Sequence, residues 1–170
     1  GLYSILRHAN RQGSKAFTRQ DLVTQANTIL KQLQDDFRCA ASASVKVSDN
    51  GGQIQLNLHV EDKLATVTYR WEKPRFTRKV DYNNKTTIHV FSNNFEKFEM
   101  EKKPRPTGET ETYSPDTPEQ VLLRVTLSGW VPGDPKPLVH EQHCMATMRE
   151  ISSLKYYPHW RDVGNLQGVF

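Results

Sequence analysis

Cysteine is nearly absent: Cys39 and Cys144 are the only two in 170 residues, and they lie far apart. That excludes a disulfide framework and fits a reducing compartment. Long apolar runs are absent too. None approaches the roughly 20 residues a bilayer-crossing helix needs. Hydrophobic residues make up only 36% of the chain, and the mean hydropathy is −0.70. One domain with a modest core and a wet surface is the expectation.

Signatures of nucleotide or ester chemistry are missing as well. Gly51-Gly52 sits in a turn, with no helix start after it to hold a phosphate. No G-x-S-x-G elbow occurs. No motif calls for a cofactor, and the chain reads as non-enzymatic. Net charge is +4 and the pI about 9.1, which permits acidic or nucleic-acid partners without demanding either.

The last notable absence is local. No acidic residue precedes Asp21, while Arg7, Arg11, Lys15 and Arg19 all do. A basic, serine-containing, acid-free opening reads as an organelle transit peptide or its mature remnant, which points to the mitochondrial matrix. A cloning remnant followed by an ordinary basic tail reads the same way.

The sequence then supplies a helix. Thr18 and Asp21 make a T-x-x-D start, with a carboxylate in the positive first turn. Leu22, Ala26, Ile29, Leu30, Leu33 and Phe37 form one apolar stripe, and Gln25, Lys31, Gln32, Gln34, Asp35 and Asp36 face out. The pattern predicts a helix from Thr18 to about Arg38, after a basic arm over 1–17.

The period then falls to two. Val45 and Val47, then Ile54, Leu56, Leu58 and Val60, make a hairpin around Asp49-Asn50-Gly51-Gly52. Ala65, Val67, Tyr69 and Trp71 share the face of the next strand, which Pro74 ends. Weaker strands cover 76–81, 86–91 and 95–100, with turns at Asn83-Asn84 and Asn93-Asn94. Residues 101–119 hold four prolines and read as a loop. A last hairpin joins 121–128 to 138–148 through Pro132-Gly133-Asp134-Pro135. The fold class is α+β: an amphipathic helix, then a seven-stranded, mostly consecutive antiparallel sheet. The helix-plus-sheet domain spans 18–154, and an aromatic tail spans 155–170.

Candidate chemistry is sparse. In His140-Glu141-Gln142-His143-Cys144, a strand sends His140 and Cys144 one way and Glu141 and His143 the other, so the four cannot converge on one metal ion without a bulge. A Cys144–His140 nucleophilic pair has no evident orienting group. Asp116 and Glu119 fall in or beside a loop and read as solvated. Arg75, Phe76, Arg78 and Lys79 could contact RNA, the cations on phosphates and Phe76 on a base; the plainer reading puts the neighbouring Tyr69 and Trp71 in the core. Tyr3, Ile5, Leu6, Trp130, Tyr156, Tyr157 and Trp160 are the candidates for protein contacts, since aromatic and apolar groups outside regular elements pack on something.

Several short stretches resemble one family. They are Ser14-Lys15-Ala16-Phe17, Gly52-Gln53-Ile54-Gln55-Leu56 and Ala65-Thr66-Val67-Thr68-Tyr69, with Met148-Arg149-Glu150-Ile151-Ser152 and Trp160-Arg161-Asp162 near the end. With the element order, they resemble the mitochondrial acidic matrix protein family, also called the globular-head complement receptor or mitochondrial glycoprotein family. The resemblance implies a matrix protein without catalytic residues that binds proteins or RNA. The family is strongly acidic, and this chain is basic. The family also closes with two helices that build a ring-shaped trimer, and no helical stripe follows residue 148 here. The expectation is therefore an accessory subunit of a respiratory, ATP-synthase or ribosomal assembly in mitochondria, bound to foreign subunits rather than in a self-trimer. An RNA-binding or RNA-processing factor is the alternative.

Overall fold

The computed structural model describes residues 2–48, 51–60, 63–103 and 119–148. One helix, α1 (Leu2–Cys39), leads into eight strands: β1 (Ala40–Ser48), β2 (Gly51–Val60), β3 (Lys63–Glu72), β4 (Arg75–Tyr82), β5 (Lys85–Ser92), β6 (Phe95–Lys103), β7 (Glu119–Gly129) and β8 (Leu138–Met148).

The strands form two antiparallel sheets, ordered β1-β2-β3-β4-β5 and β6-β7-β8. This corrects the expectation of a single seven-stranded sheet. The break falls at Ser92-Asn93-Asn94. There the Ser92 hydroxyl donates to Gln25 Oε1 at 2.7 Å and accepts the Asn94 amide at 2.9 Å. The chain turns a corner instead of a hairpin. The Phe95 amide bonds to the Pro74 carbonyl at 2.9 Å, beside the β3–β4 turn, and β6 takes β7 as its partner. By contrast, Asn83 and Asn84 have φ of 51° and 63° and close a tight hairpin between β4 and β5.

The inward face of the larger sheet carries Ile54, Leu56 and Leu58 from β2, and Ala65, Val67, Tyr69 and Trp71 from β3. All are buried, in the period the sequence predicts. The smaller sheet adds Phe98, Val121, Leu123, Val125, Leu127 and Ala146 to the same core. Trp71 and Phe98 join the two sheets with ring centroids 4.7 Å apart. The helical stripe from Leu22 to Phe37 is buried against both. Each large side chain so buried contributes about 1.5–3 kcal/mol.

Helix α1 begins sixteen residues earlier than the capping signal suggests, at Leu2 rather than Thr18. Thr18 is an interior helical residue. Apart from Gly13, residues 2–17 are ordinary helix formers without proline, so nothing interrupts the helix. Burial begins only near Thr18. A stripe read through its buried side chains therefore shows the second half of the helix and not the first.

Candidate functional site

The buried polar residues come first. Asp36, placed on the outer side of the helix by its sequence, is fully buried. Its Oδ2 accepts the Tyr69 hydroxyl at 2.5 Å and Arg78 Nε at 2.9 Å. Arg78 Nε also lies 3.2 Å from the Tyr69 hydroxyl oxygen. Burial pushes the Tyr69 phenol well above its ordinary pKa, and the neighbouring carboxylate adds to the rise. Burial opposes the Arg78 charge, but the Asp36 carboxylate outweighs it and raises the guanidinium pKa. The cluster bolts the end of α1 to β3 and β4. It is built as a structural lock, with its polar groups turned on one another.

That lock decides the RNA candidates. Arg78 sits inside it, and Phe76 is fully buried against Tyr69, Trp71, Phe95 and Phe98. Neither is placed to meet a base or a phosphate. Arg75 and Lys79 are exposed, with Lys79 paired to Asp81 at 2.8 Å. The plainer reading holds for Tyr69 and Trp71, which are core.

The register also separates the His-Cys candidates. His140, Gln142 and Cys144 stand opposite Leu127, Val125 and Leu123, facing α1; Glu141 and His143 stand opposite Thr126 and Arg124 on the outer face. His140 lies 3.1 Å from Gln142, and Cys144 Sγ approaches the Leu30 carbonyl at 3.9 Å. Partial burial raises the Cys144 thiol pKa, which lowers its nucleophilic fraction. Among the described residues no group of three or more His, Cys, Asp or Glu is placed to hold a metal ion.

The protein-contact candidates remain. Leu2, Tyr3, Ile5 and Leu6 are 76%, 80%, 66% and 56% exposed, and Phe17, further along the helix, is 75% exposed. Trp130, at the tip of the β7–β8 hairpin, is 68% exposed. The tip and the helix are tied together. Arg11 hydrogen-bonds to Asp134 Oδ1, and Lys15 Nζ lies 3.9 Å from Asp134 Oδ2. Gly129, just before Trp130, packs so closely that an added Cβ would lie 2.8 Å from Thr18 Cγ2. Tyr3, Ile5, Leu6 and Trp130 thus belong to one end of the molecule, around the first half of α1. Phe17 belongs with them and was missed in the sequence, where it reads as the last residue of an arm. Tyr156, Tyr157 and Trp160 fall outside the described residues, as do Asp116 and the stretch 149–170.

At about 3.6 residues per turn, the two halves of α1 carry opposite patterns. In the second half the apolar stripe faces the sheets. In the first half that side carries Arg11, Lys15 and Thr18, and only Lys15 and Thr18 of residues 2–18 are even partly buried. Leu2, Leu6, Ala9 and Phe17 lie on the back, away from the sheets, with Ile5 and Ala16 on the flank. Beyond Phe17 the back turns polar, with Gln20, Thr24, Lys31 and Asp35. The second helical half is built to fold the chain. The first presents its apolar side to the surroundings.

No protein-family model, no curated protein and no solved structure matches the chain.

Proposed function

We propose that this chain is a non-catalytic accessory subunit, held in a larger mitochondrial assembly by protein contacts through the first half of α1 and the β7–β8 tip. One observation carries the reading: five large apolar side chains of the helix, with Trp130, stand more than half exposed at one end of the molecule. Large apolar side chains left exposed in this number support an interaction site. The acid-free basic opening supports the matrix of mitochondria as the compartment.

The test is the replacement of Leu6 by Asp in the full chain. Leu6 is exposed, so the fold should keep its stability within about 0.5 kcal/mol. The variant should sediment as a free chain where the wild type sediments with its assembly. A variant that still co-sediments in full would refute the docking role of this surface.

A further inference from the structure

We infer that two copies of this chain join edge to edge through β5, antiparallel about a two-fold axis at Ile88, so that their five-stranded sheets run on as one. This surface is separate from the α1 end proposed above and does not rest on that reading.

Among the described residues the sheets have their edges at β1 and β5, and at β6 and β8. An open edge presents unpaired N–H and C=O groups to any strand that fits, and proteins blunt such edges with bulges, charges or a cover. Three of these edges are blunted. Helix α1 runs along β8, where Gln34 Nε2 donates to the Met145 carbonyl at 2.8 Å. Strand β6 carries Glu96, Lys97, Glu99 and Glu101, and its start is held by the bond from the Phe95 amide to the Pro74 carbonyl. Strand β1 opens on a register shift between Ala40 and Ser42. Strand β5 has none of these devices from Thr86 to Val90. Its register with β4 is regular from Tyr82↔Lys85 to Thr77↔Val90. It has no proline, and Lys85, at its start, is its one Lys, Arg, Asp or Glu. Every residue from Lys85 to Val90 is exposed, Ile88 at 64% and Val90 at 45%.

The pattern of β5 selects a second copy as the occupant. The Asn83-Asn84 turn closes on Tyr82 and Lys85, the hydrogen-bonded pair of a two-residue hairpin. Alternation then points the N–H and C=O of Thr87 and His89 at β4, and those of Thr86, Ile88 and Val90 at the open edge. These three positions are symmetric about Ile88. A two-fold axis there sets Ile88 opposite the partner's Ile88 and Thr86 opposite the partner's Val90, so every outward group finds its bond. The same three side chains share the outer face of the sheet, so β-branched residues meet β-branched residues across the seam. The charges agree with this register. Lys85 falls opposite the partner's Phe91. Lys79, beside Ile88 on the outer face, stays three strand spacings, about 14 Å, from its own copy. A foreign strand is selected by pockets or charges beside the edge, and Thr86–Val90 carries no charge to select one. The strand matches itself.

The test is sedimentation velocity of the purified full chain. The contact is one strand long, so a dimer should form at about 100 µM and dissociate by about 1 µM. Ile88→Lys, which sets a charge on the axis, should raise the dissociation constant at least about tenfold with an unchanged melting temperature. Single cysteines in a Cys144→Ser background then read the register. Ile88→Cys should link two copies under oxidised glutathione, since opposed Cα atoms lie about 5.5 Å apart. Val90→Cys alone should not link, with about 13 Å between the copies, but mixed with Thr86→Cys it should. A wild type that stays monomeric at about 100 µM overturns the inference. So does a dimer that Ile88→Lys leaves intact, or one that only Leu6→Asp dissolves, which would belong to α1. Failure of Ile88→Cys to link, linking through Val90→Cys alone, or linking in cell extract to a foreign protein only, overturns it as well.

Discussion

The Tyr69 hydroxyl lies 2.5 Å from Asp36 Oδ2, deep in the seam between α1 and the larger sheet. Tyr69 is on β3 and Asp36 in the last turn of the helix, 33 residues apart in sequence. Arg78 from β4 completes the contact. A carboxylate in that position is tolerated only because both partners reach it.

Removing one partner should therefore be costly. Arg78→Met leaves Asp36 buried and unpaired, and should lower unfolding free energy by about 3–5 kcal/mol. Tyr69→Phe removes one hydrogen bond to a charged acceptor and should cost about 1.5–3 kcal/mol. The combination Asp36→Leu with Arg78→Met should recover most of the loss, because no charge is left stranded. Urea titration of the four proteins checks all three statements.

The same cluster sets a pH response. The Tyr69 pKa is raised in the folded state, chiefly by burial. The unfolded chain therefore releases this proton first. The stabilisation is complete below the ordinary phenol value of about 10 and is lost as pH rises above it, by about 1.4 kcal/mol per unit. Urea midpoints at pH 9 and pH 11 should diverge more for the wild type than for Tyr69→Phe. Equal divergence would remove Tyr69 from the alkaline response.

Gly129 controls how closely the helix crosses β7. An alanine there would place its Cβ 2.8 Å from Thr18 Cγ2. Gly129→Ala should destabilise by about 1–3 kcal/mol through overpacking. Thr18→Ala removes the obstructing methyl. The double variant should recover at least half of that loss, so a double-mutant cycle would show clear coupling. Additive costs would mean the two positions do not touch.

Asp134 anchors the exposed half of α1 through Arg11 and Lys15. Both cations are about half exposed, so Asp134→Asn should change global stability by only about 1 kcal/mol. Amide exchange over residues 2–17 should nevertheless speed up, because few other contacts hold that half of the helix down. Unchanged exchange there would mean the helix stands without the anchor.

The sequence by itself determined the periods. Leu22 to Phe37 repeats as a helix buried on one side, and Ile54 to Trp71 alternates as strands buried on one face. Both follow from geometry local to a few residues. The split of the His140–Cys144 cluster across two faces was legible for the same reason. What tertiary structure decided is everything that depends on a distant partner. Phe76 and Arg78 read as surface groups beside a turn, but the first is enclosed by four aromatic rings from β3 and β6, and the second is claimed by a carboxylate 42 residues away. Ile88 and Val90 alternate like core residues yet are exposed, because β5 is the sheet edge and they stand opposite Lys79 and Thr77, on the face away from the buried Arg78. The break after β5 depends on Gln25 reaching Ser92 across the molecule. The first half of α1 folds on local propensity, but its back is apolar and exposed among the described residues. A stripe of Leu2, Ile5, Leu6 and Phe17 looks the same in sequence whether it packs inward or waits for a partner. Only the position of the sheets on the opposite side of the helix tells the two apart.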